Sequence, residues 1–226
     1  MLTGTQASEC RPEQGGTSAM VATLEEDIVL GLLPPKMRLV EDELMARFAA
    51  KRHTVREALA VLEGLGLVER KRNIGALVKS FGSDEVLQLY DMRCLLEVEA
   101  MRTIPLPLPN AALQALAQLQ SAHDEAVRQH DARRIFRTNQ AFHRFLFAQC
   151  GNMFLAQAIE DFARRTHAIR FGALISGERQ LQSQQEHHEL LAVLELGDRS
   201  RLLELATAHL LPSRDHYLKA QAMLQA

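Results

Sequence analysis

The chain has little cysteine, little net charge and no long apolar run, and each shortage excludes a class of protein. Cys10, Cys94 and Cys150 are odd in number and have no CxxC spacing, which argues against a disulfide framework and a thiolate zinc site. No uninterrupted apolar run is long enough to cross a bilayer. Residues 1–19 lack the basic and apolar regions of a secretory signal. We therefore expect a soluble, cytoplasmic protein without a membrane partner.

The formal net charge of -2 excludes a polybasic nucleic-acid binder. If the chain binds nucleic acid, a local basic patch must be responsible rather than the net charge of the whole protein. With 226 residues, of which 47% are hydrophobic, the chain can bury one good core or two unequal ones. Residues 1–19 are polar and rich in glycine, so we expect a disordered tail there.

Residues 20–82 have the pattern of a winged helix-turn-helix. Apolar periodicity and stop signals predict three helices, at 20–33, 41–49 and 52–66. The following stretch, 67–81, holds two short β-prone segments around "RKRNIG". Asn73 and Gly75 can take the positive φ that a hairpin needs. Three helices followed by a hairpin are typical of this DNA-binding fold.

Residues 83–226 predict an all-α antiparallel bundle. The proline-rich stretch 104–109 and several capping residues divide this part into helices joined by short loops. The six predicted helices lie at 84–103, after Asn110, and at 131–150, 152–175, 178–196 and 198–211. The predicted fold class is therefore mainly α, a winged helix-turn-helix followed by a helical bundle.

Two basic clusters lie on the two elements with which a winged helix reads DNA. The recognition helix carries Lys51, Arg52, His53, Thr54 and Arg56, and the hairpin carries Arg70, Lys71, Arg72 and Asn73 before Gly75. Arginine forms bidentate bonds with guanine O6 and N7, whereas Lys51 and Thr54 suit phosphates. Taken alone, each cluster could simply be solvated surface charge rather than a DNA contact. Their joint placement favours binding to double-stranded operator DNA.

The same stretch resembles the GntR family of bacterial transcription regulators. "KRHTVREAL" keeps the arginine and the VREAL core of the family's recognition helix, "LEGLGLV" keeps its apolar frame, and "NIGALV" keeps the wing glycine, Gly75. Lys51 stands where Ser or Thr is usual, and Thr54 where Pro is usual. Asp42 stands where some members have a further DNA-contacting arginine, so that role is not carried over.

The second half resembles the FCD effector domain of the FadR subfamily. The resemblance rests on "EVLQLYDMRCLLEVEAM", "FHRFLFAQCGNMFL" and "HHELLAVLELGDRSRLLELATAHL". Six predicted helices rather than seven suggest the VanR-like branch. Together the two resemblances cover about residues 20–215. They imply a regulator that dimerises, binds a palindromic operator and responds to a small ligand.

One helical stripe in "RTNQAFHRFLF" carries an amide, Asn139, and an imidazole, His143, among apolar residues. The FCD resemblance implies a divalent metal held by one Asp and three His. It aligns Asn139 with the Asp, and His143, His187 and His209 with the histidines. Periodicity agrees, because each histidine shares a helix face with apolar residues. Zinc or nickel suits such a set. The alternative is a group of ordinary core histidines satisfied by their neighbours.

Asn139 is neutral, so the metal would keep its double charge and attract an anionic effector such as a small organic acid. Arg93 lies on the inward side of its predicted helix and could bind the effector's carboxylate. Equally, Arg93 could form a structural salt bridge with an acidic neighbour. The remaining histidines are expected to be surface or incidental residues; they are His123, His130, His167 and His216.

The leading hypothesis is a ligand-responsive transcription regulator that is not an enzyme. A metal-dependent hydrolase using the three histidines is an alternative, although "HHELLA" is not HExxH and no general base stands at a fixed offset. A third hypothesis is a metal-free regulator whose histidines bind the effector directly.

Overall fold

The computed structural model describes residues 16–167, 169 and 177–225. The helices described are α1 (Thr17–Val29), α2 (Glu41–Phe48), α3 (Arg52–Gly64), α4 (Ser83–Thr103), α5 (Asn110–Arg128), α6 (Ala132–Ala148), α7 (Met153–Arg165), α8 (Gly177–Leu196) and α9 (Arg199–Gln225). The strands are β1 (Arg38–Leu39), β2 (Val68–Lys71) and β3 (Gly75–Val78). The predicted fold class is confirmed. None of the described helices is both long and apolar enough to cross a membrane.

The N-terminal half is built on α1 and α3, which pack through Leu24, Ile28, Val55 and Leu62. These four side chains are at most 1% exposed, so their burial contributes to the hydrophobic driving force for this half. Helix α2 begins with three acidic residues, which the helix dipole favours. It ends where Ala49 takes a left-handed conformation, with φ 47°. That sharp turn sets α3 across α2.

The wing is an antiparallel sheet in the order β1-β3-β2. Lys71 pairs with Gly75, which leaves a tip of three residues. Asn73 and Gly75 have φ of 65° and 98°, as predicted for the hairpin. Strand β1 was not predicted, because two residues are too few to establish an alternation of apolar and polar side chains.

The second half is a bundle in which α4 packs on α7 and α9, while α5 packs on α6 and α8. Side-chain caps begin two of the helices at predicted breaks. The Asp131 carboxylate accepts from the backbone N–H of Arg134, at 3.0 Å. The Asn152 side-chain oxygen accepts from two backbone N–H groups at 3.1 Å. These caps satisfy donors that a helix leaves unpaired at its start.

Three predicted boundaries are wrong. Helix α1 begins at Thr17, so residues 17–19 are helical; the rest of the predicted tail, 1–15, lies outside the described residues. The helix predicted at 152–175 ends at Arg165, and residues 168 and 170–175 of that range lie outside the described part. The helix predicted at 198–211 continues to Gln225.

Helix α9 continues although Pro212, inside it, has no backbone N–H to donate. The continuation is anchored to the first half of the chain by Tyr217, which is 9% exposed. Its hydroxyl accepts from the backbone N–H of Phe81 at 3.2 Å and donates to the carbonyl at 3.3 Å. Gln221 also donates to that carbonyl. These tertiary contacts offset the hydrogen bond lost at the proline.

Candidate functional site

The stripe on α6 is buried as its spacing predicted. Phe136, Asn139, Leu146, Phe147 and Cys150 are between 0% and 8% exposed. The side-chain nitrogen Nδ2 of Asn139 is buried and has no hydrogen-bond partner among the described residues. Burying an amide N–H group without a hydrogen-bond partner costs free energy, so this position favours a polar ligand that can accept from it.

The structure brings His143, His187 and His209 together from α6, α8 and α9. We call this set the imidazole triad. The Nε2 atom of His143 lies 3.1 Å from Nε2 of His187 and 3.1 Å from Nε2 of His209. One ring nitrogen from each residue lies within 4.8 Å of the others. Three helices thus aim three ring nitrogens at a single point.

Hydrogen bonds behind two of the rings fix which nitrogen faces that point. The Gln120 side chain donates through Nε2 to Asp124 at 2.6 Å, so its oxygen Oε1 faces Nδ1 of His187, at 2.8 Å. An amide oxygen can only accept, so Nδ1 of His187 carries a proton. The Glu186 carboxylate accepts in the same way from Nδ1 of His209, at 2.5 Å. In the neutral rings both Nε2 atoms therefore point a lone pair into the triad.

Converging lone pairs repel each other unless they share a cation or a proton. Metal–nitrogen bonds of about 2.0–2.1 Å at a tetrahedral angle hold two ligand nitrogens about 3.3–3.4 Å apart. The 3.1 Å separations in the triad are close to that value. Histidine ligands whose other nitrogen donates to a carboxylate or amide are typical of metal sites. The residues present therefore fit a divalent ion.

Two further histidines that were expected to be superficial are buried. His123 is 1% exposed, contacts the His187 ring at a centroid distance of 5.1 Å, and hydrogen-bonds Thr138 at 3.0 Å. Burial lowers its pKa, although the nearby Asp124 acts in the opposite direction. His167 is 2% exposed and bonds Glu25 of α1. Sequence periodicity missed both, because their polar partners come from other helices. His130 and His216 are exposed, as predicted.

A cavity of about 410 Å³ lies beside the triad, between α4, α6 and α7. Arg93, Asn139 and His143 line its inner wall. Its other wall is mainly apolar and includes Phe147, Ala148, Ala156, Ile159 and Ala163. At its rim, Arg144 and Arg164 both contact one carboxylate oxygen of Glu160, at 3.0 Å and 3.3 Å. A small ligand with an apolar body and an anionic group fits such a lining.

Arg93 has both of the features that the sequence left as alternatives. It forms a buried ion pair with Glu97 at 2.8 Å, and it also lines the cavity. Its Nη1 donates to the Thr166 hydroxyl at 3.2 Å. Burial, the largest influence, lowers the pKa of the guanidinium, but Glu97 and Tyr90 together outweigh burial and raise it. Arg93 therefore stays charged, and its five N–H donors exceed what one carboxylate oxygen uses.

The first candidate DNA-contacting residues lie at the exposed start of α3. Lys51 precedes the helix, and Lys51, Arg52, His53 and Arg56 are exposed while Thr54 is half-buried. Arg52 pairs with Asp42 at 2.6 Å, and Arg56 pairs with Glu41 at 3.0 Å. Such exposed pairs contribute only about 0–1 kcal/mol, so an approaching phosphate or base can replace the carboxylates at low cost.

The wing lies beside this helix. Arg70 donates to the backbone carbonyl of Arg56 at 3.1 Å and pairs with Glu63 at 3.3 Å. Lys71, Arg72, Asn73 and Gly75 are all exposed on the wing. Sequence reasoning missed Arg38 on β1, whose side chain lies next to Gly75. Recognition helix and wing together form one surface, the basic face, lined by Arg38, Arg52, Arg56, Arg70 and Lys71.

Comparison with known proteins identifies both halves. Residues 17–78 match the model of the bacterial regulatory proteins of the gntR family, and residues 88–211 match the FCD domain. The HTH-type transcriptional repressor GlaR of Escherichia coli strain K12 is 28% identical over 204 residues, or 83% of this chain and 89% of the relative. The HTH-type transcriptional regulator YdhC of Bacillus subtilis strain 168 is 24% identical over 187 residues, or 82% and 84%.

Solved structures have the same fold. A GntR transcriptional regulator from Rhodococcus sp. RHA1 superposes with a TM-score of 0.75 at 20% identity, over 90% of this chain and 98% of that one. Escherichia coli McbR/YncC gives a TM-score of 0.77 at 19% identity, over 91% and 98%. At such identities the likeness shows the fold alone. The two domain matches in sequence decide the family. The chain belongs to the gntR family of bacterial regulatory proteins and carries an FCD domain, and it is a DNA-binding transcription regulator.

Proposed function

We propose that this regulator changes its affinity for operator DNA when a small organic acid binds beside a divalent metal in the FCD domain. The observation that carries the proposal is the convergence of three Nε2 atoms next to a cavity. The division into units at 20–82 and 83–226 remains a prediction, with helix α1 of the first unit beginning at Thr17. Since the operator is bacterial DNA, the proposed location is the cytoplasm. The VanR-like branch of the FadR subfamily remains part of the proposal.

The metal ligands we propose are His143, His187, His209 and Asn139, with zinc or nickel as the ion. Gln120 and Glu186 support this assignment, because each holds a ring in the tautomer that a metal requires. Asn139 lines the same cavity as His143, and its amide oxygen is the atom that would bind the ion. If bound there, a divalent ion held by these neutral ligands would supply a positive charge that no ligand compensates.

An anionic effector follows from the charges around the cavity. Arg93, Arg144 and Arg164 line it together with two carboxylates, from Glu97 and Glu160. These five groups leave one net positive charge, and a divalent ion would add two more. We propose that Arg93 binds the effector's carboxylate through donors that Glu97 leaves unused. The apolar wall would accommodate the carbon skeleton.

The alternatives differ in what the triad does. A hydrolase needs a general base facing the metal-bound water, whereas Glu186 lies behind the His209 ring at Nδ1. This placement favours a regulator over an enzyme. A metal-free regulator, in which the histidines bind the acid directly, needs a shared proton in place of the ion. Elemental analysis and calorimetry of metal-depleted protein distinguish the metal-free regulator from the metal-bound regulator proposed above.

Truncating the recognition arginines should remove operator specificity without unfolding the protein. We expect Arg52→Ala and Arg56→Ala each to cost about 1–3 kcal/mol of specific binding, since each loses a bidentate base contact. Fluorescence anisotropy with DNA from upstream of the gene and with shuffled DNA measures the difference. The control is Arg102→Ala on α4, which removes an equally exposed arginine far from the basic face. Retained specificity in both variants would contradict the assignment of α3.

Lys71→Ala on the wing should act differently from the α3 variants. A phosphate contact carries no sequence information, so binding to operator and shuffled DNA should weaken alike. The slope of log K against log salt should fall by about one. A loss of affinity confined to operator DNA would instead indicate that Lys71 contacts the edge of a base.

The protein should be a homodimer in solution. One winged helix reads only a few base pairs, and a two-fold pair doubles the contacts with a palindromic site. Leu87 and Leu95 on α4 are 40% and 65% exposed, which suits a surface covered by a second copy. Light scattering at micromolar concentration should give twice the chain mass of 25.3 kDa. A monomer that still binds operator tightly would contradict this.

Asn139→Asp should tighten metal binding and weaken acid binding. The substitution replaces a neutral oxygen ligand with an anionic one of nearly the same size, so the two affinities should move in opposite directions. His143→Ala should weaken both. Gln157→Glu is the control, because it adds the same charge to the cavity wall from α7 without providing a ligand in the triad. It should weaken acid binding alone. Calorimetry with zinc and with citrate or succinate measures each case; unchanged zinc affinity in Asn139→Asp would exclude Asn139 as a ligand.

Gln120→Leu should lower zinc affinity about 10- to 100-fold, because His187 would lose the contact that fixes its tautomer. Gln184→Leu is a matched control, since Gln184 also donates to Asp124, at 2.8 Å, but has no described contact with the triad. Competition with a chromophoric chelator measures the affinities. Equal effects of the two substitutions would show that Gln120 acts only through the packing around Asp124.

A further inference from the structure

Helix α1 carries three consecutive acidic residues that are all largely buried. The side chains of Glu25, Glu26 and Asp27 are 13%, 7% and 1% exposed. Consecutive helical residues point about 100° apart, so three neighbours cannot face one partner. Acidic side chains are rarely buried unless they are paired. The three carboxylates therefore need more than one partner, supplied by more than one neighbouring element.

Two of the three acids bind α1 to arginines outside the cavity. Arg133 of α6 contacts Glu26 at 2.8 Å and Asp27 at 2.5 Å. Arg137 contacts Glu26, and Arg47 of α2 contacts Asp27, both at 2.5 Å. None of these residues lines the cavity. These contacts fasten the DNA-binding half to the start of α6.

Glu25 differs because its partner is a cavity residue. Its Oε1 lies 2.9 Å from Nδ1 of His167, and the other ring nitrogen of His167 lies 3.3 Å from Nε2 of Gln140. His167 and Gln140 both line the cavity. Amide nitrogen Nε2 can only donate, so it bonds the lone pair of His167 Nε2. Nδ1 then carries the proton and donates to Glu25. A directed hydrogen-bond chain leads from the cavity wall into α1.

The charges around Glu25 also belong to the cavity. Burial, the largest influence, raises its pKa, but His167 together with Arg164 and Arg144 outweighs burial and holds the pKa below its usual value. Glu25 is therefore ionised at neutral pH. Arg144 and Arg164 are the two arginines at the cavity rim. An anion placed in the cavity would compete with Glu25 for the same positive charges.

We infer that Glu25 of the DNA-binding half is a positioning residue of the effector site, acting through His167, and that it links cavity occupancy to operator affinity. The inference rests on the function proposed above. A ligand in the cavity displaces the wall formed by His167, Gln140 and the two rim arginines, which weakens the contact of His167 with Glu25 and frees α1 to shift. Because α1 packs directly on recognition helix α3, such a shift changes how α3 is presented to DNA.

Thermodynamic linkage tests this inference. Zinc affinity of the full-length protein is measured with and without saturating operator DNA, and the ratio is the coupling factor. We expect a factor of at least about fivefold for the wild type, within the usual range for allosteric coupling. Glu25→Gln keeps the size and an acceptor oxygen but removes the charge. It should reduce the factor to below about twofold while leaving zinc affinity of the free protein nearly unchanged.

Arg137→Ala is the matched control. It breaks an ion pair in the same contact between α1 and α6, but Arg137 does not line the cavity. Its coupling factor should stay within about twofold of the wild-type value. A purely structural role for Glu25 would make both variants behave alike, and that result would overturn the inference.

A second measurement avoids any added ligand. Ala163→Phe places a ring in the cavity from α7 and imitates occupancy. It should change operator affinity in the wild-type background and in Arg137→Ala, but not together with Glu25→Gln. Persistence of its effect in the Glu25→Gln background would overturn the inference, as would a wild-type coupling factor of one for zinc. Failure to bind operator or zinc at all would instead refute the proposed function, so the two failures are distinguishable.

Discussion

Burial of one face of α6 is the constraint on which the second half of the molecule depends. Phe142 and Leu146 are fully buried on this face, and the Phe142 ring stacks on His187 at 4.2 Å between centroids. The apolar packing fixes the rotation of the helix about its axis. That rotation in turn directs Asn139 and His143 to the cavity. The same helix presents its first-turn arginine, Arg133, to α1. Core, cavity and the contact between the two halves are therefore set by one helix.

The charged groups of the protein fall into two classes with different roles. On the basic face, the pairs of Arg52 and Arg56 with acids of α2 are exposed to solvent, so an approaching anion can displace the carboxylates at little cost. Between the halves, the acids of α1 are buried, and Glu26 and Asp27 each contact two arginines, so losing both partners would leave an uncompensated charge. Weak ion pairs suit a surface whose arginines must exchange one partner for another. Strong pairs suit a contact that must transmit the state of the effector domain.

Patterns local in sequence predicted the elements well. The apolar spacing of α3, the glycine of the wing and the capping residues before α6 and α7 all act within a few residues of the chain, and the structure agrees with them. The misses have non-local causes. Helix α9 continues through Pro212 because Tyr217 binds Phe81 in the other half. His123 and His167 are buried because distant helices supply Thr138 and Glu25 as partners.

The sequence by itself determined that the chain is a winged helix-turn-helix joined to a helical bundle, and it named the three histidines, because helical periodicity and family motifs are written in adjacent residues. Only the tertiary structure decided how those histidines are used. It set Nε2 of His143 3.1 Å from Nε2 of both His187 and His209, placed Gln120 and Glu186 behind those two rings, and put Glu25 against His167. Such contacts join residues up to 142 positions apart. Their geometry follows from how helices pack, and no local pattern of side chains encodes it.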